Sequence, residues 1–514
     1  MNPEAQPAHD ARGSFLRRSA LLNGLFISEG LGNFLLDATL AAVLGLGVRS
    51  DVLYAAWSLP MTIGRGMFQS LTNSFMGYYA AEDNLKQAYN HSITLIGLLG
   101  IGLTLVFYLS AKWWYPLTIL GGSPEEKSAG TPLAAILSML IGLFALSETM
   151  RAVYYREGNM FIPSASRLFG ILFSIAIVLT TSSNNDLSLV SWGLVAGAGV
   201  ELLLNWLGLR WSIQVRYRPN FPARKQLRAI IGIVGLPLAG QALRVLAGAV
   251  ERSLASLLGP GILTAVAFSS RIILTIERFV FRGFLITTIE SYTSGKVMNI
   301  KAQFRLIVLI GMILSIIIAV LAYPLVEIAF GRGRFTSRDV ELLSSMLRYY
   351  VPAIFLLAIT RLPLGLAYAK RQGRVVFGYF MLVSFILVGL EALLIALGFG
   401  IYLFGISYAI ALTAAFVWLY QLSVKPELAQ RESSVLFPPK DLVKIVCVGL
   451  FSFLGTVLTV HALDSLLFAG RWTSYAQLAI GLIASVGFFL LGSWILHLEE
   501  IQWLLRHFKA GNQL

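Results

Sequence analysis

Three arginines lie in one long apolar stretch of the chain, residues 269–291 (SSRIILTIERFVFRGFLITTIES). Arg271, Arg278 and Arg282 are spaced i, i+7 and i+11. At about 100° per residue, a helix brings them within about 40° of one another. A guanidinium group matches a phosphate in bidentate geometry, through two parallel hydrogen bonds. The spacing therefore predicts a cationic stripe that binds an anion such as phosphate.

Polar residues also follow helical spacing in other apolar stretches, among them residues 18–46, 50–79 and 228–257. The residues expected to bind a substrate together with the arginine stripe are Arg65, Asn33, Gln69 and Asn73. The residues expected to line or gate the same cavity are Glu29, Asp37, Asp51 and Arg244. A hydrated cavity that shelters all of these side chains is the simplest arrangement.

Two acidic residues are candidate sites for a coupling cation. Glu251 lies in the stretch 228–257, and Glu391 is the isolated acid of residues 374–398. An ionisable group inside an apolar span usually faces a cavity or a partner. Na⁺ or H⁺ is the expected coupling ion, and no other cofactor is predicted. For Asp37 and Glu251, the alternative is a structural pair between helices.

The composition defines the environment of these side chains. The chain has 514 residues, 57% hydrophobic and 13% charged, with a mean hydropathy of +0.74. That is too little charge for the surface of a soluble protein, and apolar runs of about 20 residues recur throughout the chain. A polytopic membrane protein is predicted. In a membrane, the alternative for Arg282 is that its side chain snorkels to the interface.

About fourteen transmembrane helices are predicted in an all-α fold. The expected segments are a cytoplasmic tail (1–17), an N-lobe of six helices (18–213), a basic cytoplasmic linker (214–227), a C-lobe of six helices (228–425), a second linker (426–440), and a final helix pair with a cytoplasmic tail (441–514). Lys and Arg concentrate in the loops on one side, so both termini are expected in the cytoplasm. This distribution explains most of the net charge of +14 without nucleic acid as a partner.

The two lobes are predicted from an internal repeat. DATLAAVLGLG at 37–47 aligns with ERSLASLLGPG at 251–261, an offset of 214 residues. This offset corresponds to six predicted spans, an even number, so the two copies have the same orientation. Parallel repeats of this kind are typical of transporters, with the substrate site between the lobes around a central cavity. The alternative is that two helices rich in Leu, Ala and Gly are alike by composition.

Several classes of function are not supported by the sequence. There is no Walker-type phosphate loop and no G-x-S-x-G nucleophile motif, so an ATPase or a hydrolase is not indicated. The single cysteine, Cys447, excludes an internal disulfide, and the five histidines are scattered. The chain is therefore predicted to be a transporter, not an enzyme, driven by an ion gradient or by the membrane potential.

At this level of detail the sequence resembles a known family. The stretch 31–75 (LGNFLLDATLAAVLGLGVRSDVLYAAWSLPMTIGRGMFQSLTNSF) resembles the first two helices of the MurJ/MviN family in the multidrug/oligosaccharidyl-lipid/polysaccharide exporter superfamily. The matching residues are Asp37, Gly45, Gly47, Asp51, Leu59, Pro60 and Arg65. The segment 254–272 (LASLLGPGILTAVAFSSRI) resembles the junction of spans 7 and 8, and Arg271 matches the arginine of the central cavity.

The resemblance implies a function and a location. It implies flipping of an undecaprenyl-pyrophosphate-linked saccharide, such as lipid II, across the bacterial inner membrane by alternating access. Arginines of the cavity would engage the pyrophosphate, and the lipid tail would lie in a groove formed by the last two helices. A functional monomer is expected.

The sequence departs from the family pattern at Glu29 and Asn33 of the first span and at two places beside the key charges. Leu36 stands where an arginine usually precedes the aspartate of the first helix, and Ser270 stands where an acidic residue is common. These departures leave a Wzx-like flippase of lipid-linked O-antigen or exopolysaccharide units as an alternative. A MATE-like exporter of organic cations is a weaker one, because the predicted cavity is basic. A membrane scaffold would leave the polar stripes unexplained.

Overall fold

The structure is a computed structural model that describes residues 28–68, 75, 79, 84–157, 159, 161–181, 186–214, 217–277, 300–370, 372–430, 439–466 and 471–498. All regular secondary structure within these ranges is helical. Ten of the described helices are long and apolar enough to cross a membrane. This is the all-α architecture that the sequence predicts, whereas the number of about fourteen transmembrane helices stays a prediction.

The described residues form two compact units. The first contains residues within 1–43 and 52–245, and the second contains residues within 44–51 and 246–514. The helices of the first part of the chain are α1 (28–44), α2 (Val48–Met61), α3 (Leu85–Leu109), α4 (Ala111–Thr118), α5 (Pro124–Arg156), α6 (Phe161–Thr181) and α7 (Leu187–Gly208). A π-helical turn, Thr62–Met67, continues α2.

The remaining helices follow in the same order as the predicted spans. They are α8 (Arg224–Ala255), α9 (Ile262–Ile276), α10 (Ile300–Phe330), α11 (Ser337–Tyr349), α12 (Val351–Ala369), α13 (Gly373–Ala396), α14 (Leu403–Leu419), α15 (Lys425–Gln430), α16 (Pro439–Leu466) and α17 (Arg471–Ile495). The boundary between the two units falls within α8, after Val245.

Two long, largely apolar stretches of the sequence, each read as one span, are interrupted in the structure. Residues 87–120 form α3 and α4, which are separated at Ser110, and residues 341–369 form α11 and α12, which are separated at Tyr350. Pro352 lies in the first turn of α12. A proline is tolerated there because the first N–H groups of a helix have no intrahelical partner. Hydropathy alone does not register such a break, because the flanking residues are apolar on both sides.

The glycine turns of the predicted repeat share a backbone feature. Gly45 follows α1 with a φ of 72°, and the aligned Gly259 follows the end of α8 with a φ of 121°. Residues with a side chain rarely adopt this conformation, so glycine is required at both places. The turns also approach each other closely: a Cβ atom built on Gly261 would lie 3.3 Å from the backbone nitrogen of Gly47.

Helices α6 and α7 approach each other closely through small residues. A Cβ atom built on Gly197 would lie 2.4 Å from the carbonyl oxygen of Gly170, and one built on Gly170 would lie 3.0 Å from Cβ of Glu201. The Ser174 hydroxyl donates a hydrogen bond to the carbonyl of Gly193 at 3.2 Å. Small residues allow such contact between membrane helices. This approach determines where the charged side chains of α6 and α7 meet.

Candidate functional site

A network of six buried charged side chains lies inside the first unit. Its members come from α1, the turn after α2, α5, α6 and α7, and they are Glu29, Arg65, Glu148, Arg151, Arg167 and Glu201. We call these six residues the N-unit ion network. Three are acidic and three are basic, so the network is neutral overall when all six are charged. Such pairing is required because an isolated ion is expensive to bury.

Arg167 on α6 is the central member of the network. Its Nη1 lies 2.9 Å from Oε2 of Glu29, and its Nη2 donates a hydrogen bond to Glu148. Its Nε lies 3.5 Å from Oε1 of Glu201. Arg167 therefore contacts all three carboxylates and joins α1, α5 and α7 to α6.

Arg151 on α5 completes the inner part of the network. Its guanidinium group donates a hydrogen bond to Glu29, and its Nη1 lies 3.7 Å from Oε1 of Glu148 on the same helix. Residues spaced i, i+3 lie on the same face of a helix, which places Glu148 and Arg151 within reach of each other. This contact is long, and both residues form shorter ion pairs with residues of other helices.

Arg65 occupies the edge of the network, and it is the member predicted to bind substrate. Its Nη2 forms an ion pair with Oε2 of Glu201, and its guanidinium carbon lies 4.3 Å from the ring centre of Phe144. Its side chain is 14% exposed, compared with 4% for Arg151 and 7% for Arg167. A carboxylate of the protein therefore already occupies part of the anion-binding face of Arg65.

Glu201 has further partners besides Arg65. The hydroxyl of Ser147 donates a hydrogen bond to its Oε1 at 3.3 Å, and the Asn205 amide donates to that hydroxyl at 2.8 Å. The sequence does not single out Glu201, Arg167 or Glu148 as site residues. Arg167 and Glu201 are isolated charges in their apolar spans, and Glu148 has Arg151 three positions away. The sequence thus signals a partner for each, but it does not identify the helix that supplies the partner.

Two other predicted site residues of α1 have hydrogen-bond partners within the first unit. The amide nitrogen of Asn33 donates a hydrogen bond to the backbone carbonyl of Glu29, one helical turn away, at 2.8 Å. The hydroxyl of Tyr54 donates to Oδ1 of the buried Asp37 at 3.3 Å. The predicted roles of Asn33 in substrate binding and of Asp37 in the cavity stay predictions.

In the second unit, Arg271 has another arginine as a neighbour. Arg271 is half-buried on α9. Arg252, near the end of α8, lies within electrostatic range of it. The charge of Glu251 partly offsets that of Arg252, and Arg271 adds a second positive charge that can attract an anion. The stripe prediction extends further along the chain, but Arg278 and Arg282 lie outside the described residues, as do Gln69 and Asn73.

Two carboxyl groups of the second unit also lie near each other. The Tyr350 hydroxyl donates a hydrogen bond to Oε1 of Glu251 at 3.2 Å. Glu391 on α13 has no exposed surface, and neither of its carboxylate oxygens has a hydrogen-bond partner among the described residues. The charges of Glu251 and Glu391 interact with each other. These are the two residues that the sequence predicts as a cation or proton site.

Asp51 caps the N-terminus of α9. Its carboxylate accepts hydrogen bonds from the backbone nitrogens of Gly261 at 2.6 Å and Thr264 at 2.9 Å, and from the Thr264 hydroxyl at 2.6 Å. A carboxylate is favoured here because the first N–H groups of a helix are free and carry partial positive charge.

Two further charges of the second unit are paired, and one predicted gating residue is exposed. Glu277, which follows α9, forms an ion pair with Arg361 of α12 at 2.6 Å. Arg244 of α8 is exposed.

Within the described ranges, no group of three or more His, Cys, Asp or Glu side chains could hold a metal ion.

Comparison with known proteins decides the family. The family model described as Lipid II flippase MurJ matches residues 40–481, most of the chain. This chain belongs to the MurJ family. Membership makes it a transporter and not an enzyme, and the resemblance seen in the sequence is confirmed.

Individual relatives of the MurJ family are similar over nearly the whole chain. A probable lipid II flippase MurJ of Thermotoga maritima is 23% identical over 492 residues, which cover 94% of this chain and 97% of that protein. A probable lipid II flippase MurJ of Aquifex aeolicus is 22% identical over 462 residues, covering 86% and 88% of the two chains.

Solved structures show the same fold. A lipid II flippase MurJ in an inward closed conformation aligns with a TM-score of 0.76 at 16% identity, covering 93% of this chain and all of that one. A multidrug resistance MATE transporter of the MOP superfamily, in an inward-facing conformation, aligns with a TM-score of 0.66 at 13% identity, covering 79% and 96%. The predicted polytopic all-α membrane fold is thereby confirmed.

Proposed function

We propose that this MurJ-family chain flips an undecaprenyl-pyrophosphate-linked saccharide, lipid II or a close relative, across the bacterial inner membrane. The observation that carries the proposal is the match of residues 40–481 to a flippase family, and the position of Arg271 on α9, within electrostatic range of Arg252, supports it. A pyrophosphate is a compact polyanion, and two guanidinium groups can bind it through parallel charge-assisted hydrogen bonds. An exporter of organic cations would instead need carboxylates at this position.

We propose that transport follows alternating access and that Asp51 acts in its gate. The three hydrogen bonds from Gly261 and Thr264 to the Asp51 carboxylate hold the first turn of α2 against the start of α9. Breaking them exposes the N-terminus of α9, the helix that carries Arg271. Opening of this contact would therefore change access to the arginine that binds the substrate.

Glu251 and Glu391 are the proposed site of the coupling ion. The carboxylate of Glu391 is fully buried, and its described surroundings supply no hydrogen-bond donor. A carboxyl group in that position is favoured in its protonated form or, when ionised, beside a bound cation. We propose that H⁺ or Na⁺ binds here and is exchanged during each transport cycle.

The lipid tail is proposed to lie along the last two helices. A pocket of about 550 Å³ is lined by α16 and α17 side chains, including Phe451, Leu458 and Phe488. Its lining is almost entirely apolar, as a polyprenyl chain requires. Both termini are proposed to lie in the cytoplasm, because Lys and Arg concentrate in the loops on that side. The chain is further proposed to act as a monomer.

Replacement of Arg271 tests the proposal. The purified chain is reconstituted in liposomes that contain labelled lipid II, and the fraction translocated is followed over time. Arg271→Ala should abolish translocation, whereas Arg210→Ala, which removes an exposed arginine, should leave the rate unchanged. An unchanged rate for a folded Arg271→Ala variant would contradict the role of the arginine pair.

A second experiment identifies the glycan. The chain is expressed in bacteria that have lost their own essential lipid II flippase, and growth is scored. Growth identifies lipid II as a substrate. No growth, with the protein well expressed in the membrane, would indicate another polyprenyl-linked glycan.

A further inference from the structure

The ion pair between Arg65 and Glu201 raises a question about how Arg65 meets an anionic substrate. Arg65 is the most exposed member of the N-unit ion network, and it projects from a π-helical turn, Thr62–Met67. Such turns often occur at functional sites. Yet one face of its guanidinium group already meets the Glu201 carboxylate.

The side chain of Arg65 has both a buried donor and an exposed part. Its Nε is buried and has no hydrogen-bond partner among the described residues. A buried donor that is left unsatisfied is costly, and charged groups are the most costly. The same holds for Nε of Arg151 and Arg167, so an incoming acceptor would meet Arg65 at the exposed 14% of its side chain and not at this nitrogen.

A second anion cannot bind beside the carboxylate without repulsion. Two negative charges a few ångströms apart in a region of low dielectric repel each other strongly. The more favourable arrangement is an exchange, in which the incoming anion takes the place of Glu201 on Arg65.

Glu201 can release Arg65 because other partners remain. Its Oε1 accepts a hydrogen bond from Ser147 at 3.3 Å and lies 3.5 Å from Nε of Arg167. The carboxylate would therefore stay paired inside the first unit after it separates from Arg65. Glu148 offers a contrast, because its partners are Arg151 and Arg167.

We propose that Glu201 is the resident anion of the Arg65 site and exchanges with the pyrophosphate of the substrate. This inference rests on the proposed function, and it makes Glu201 a positioning and release residue. When substrate binds, Arg65 passes from Glu201 to a phosphate oxygen, and Glu201 moves onto Arg167 and Ser147. When substrate leaves, Glu201 returns to Arg65 and prevents rebinding.

Charge removal at Glu201 tests the exchange. Binding of undecaprenyl pyrophosphate is measured in nanodiscs, and lipid II flipping is measured in liposomes, for the wild type, Glu201→Gln and Glu148→Gln. Glu201→Gln removes the competing charge, so it should bind the pyrophosphate roughly tenfold more tightly, a gain of about 1.4 kcal/mol. Its KM for lipid II should fall, and its maximal rate should fall too, because release is slowed.

The control separates a role in exchange from a role in folding. Glu148→Gln removes a charge of the same network that forms ion pairs with Arg151 and Arg167 and acts on Arg65 only at longer range, so it should tighten binding much less than Glu201→Gln. A purely structural role of Glu201 would lower the rate without tightening binding. Equal or weaker binding by Glu201→Gln, compared with the wild type, would overturn the exchange.

If Glu201→Gln does not fold, Glu201→Asp decides the question. The shorter side chain keeps the charge but reaches Arg65 less well, so binding should still be tighter than in the wild type. Binding no tighter than wild type would overturn the exchange. A wild-type protein that binds no polyprenyl pyrophosphate would refute the proposed function as well, whereas normal wild-type binding with an unchanged Glu201→Gln would refute only the exchange.

Discussion

The contact between α6 and α7 permits a quantitative prediction. Gly197 on α7 faces Gly170 and Ser174 on α6, and the aligned charges Arg167 and Glu201 lie nearby on the same helices. A Cβ atom added at Gly197 would lie 2.4 Å from the carbonyl oxygen of Gly170 and 1.9 Å from Oγ of Ser174. The hydroxyl can rotate away, but the carbonyl belongs to the helix backbone and cannot.

The cost of Gly197→Ala follows from that carbonyl. An ordinary C···O contact is about 3.3 Å, so α6 and α7 would have to separate by roughly 0.9 Å. A gap of that size forfeits a quarter to a half of the dispersion energy of the contacts around it. Overpacking of this kind costs about 1–3 kcal/mol. We expect Gly197→Ala to lower the free energy of unfolding by about 2 kcal/mol.

Gly199→Ala is the matched control. It lies two residues further along α7, and no atom lies within 4 Å of the Cβ position. Its effect on stability should stay within about 0.5 kcal/mol. Both variants are unfolded in mixed micelles by a titration with sodium dodecyl sulfate, and the midpoints are compared with the wild type. Equal midpoints for the two variants would refute the close approach of α6 and α7 and, with it, the account of how Arg167 meets Glu201.

Two further predictions concern the second unit. Asp51→Ala removes the acceptor of three hydrogen bonds at the start of α9, so it should lower the unfolding free energy by about 1–2 kcal/mol, with a smaller loss for Asp51→Asn in the same detergent titration. Equal losses for the two variants would show that charge, not hydrogen bonding, makes the contact. Glu391→Gln should keep the fold but abolish the response of lipid II flipping to imposed H⁺ and Na⁺ gradients in liposomes. A Glu391→Gln variant that responds to either gradient as the wild type does would contradict the proposed coupling site.

Much of the architecture follows from the sequence because its causes are local. The number of apolar residues in a run determines whether a helix can span a membrane. The positive φ of Gly45 and Gly259 agrees with their alignment in the predicted repeat, since a backbone of that form needs glycine. The pairing of Glu148 with Arg151 was also predictable, because residues three apart share one helix face. The breaks at Ser110 and Tyr350 were not, since apolar residues flank both.

The partners of the site residues could be predicted less well than the helices, because they depend on the tertiary structure. Helical periodicity determines which face of a helix a charge occupies, but it does not identify the helix that this face meets. Arg65 and Glu201 are 136 positions apart, and Arg167 and Glu29 are 138 apart. Their pairing depends on how the helices pack, including the close approach of α6 to α7 at Gly170 and Gly197.

The sequence by itself therefore determined the class of protein, its all-helical architecture and the residues that carry charge into the apolar stretches. Only the tertiary structure decided that Arg65 meets Glu201, that Asp51 caps α9 and that Glu391 lacks a hydrogen-bond partner among the described residues. The physical reason is that burying a charge demands a partner, while the identity of the partner depends on contacts between distant parts of the chain.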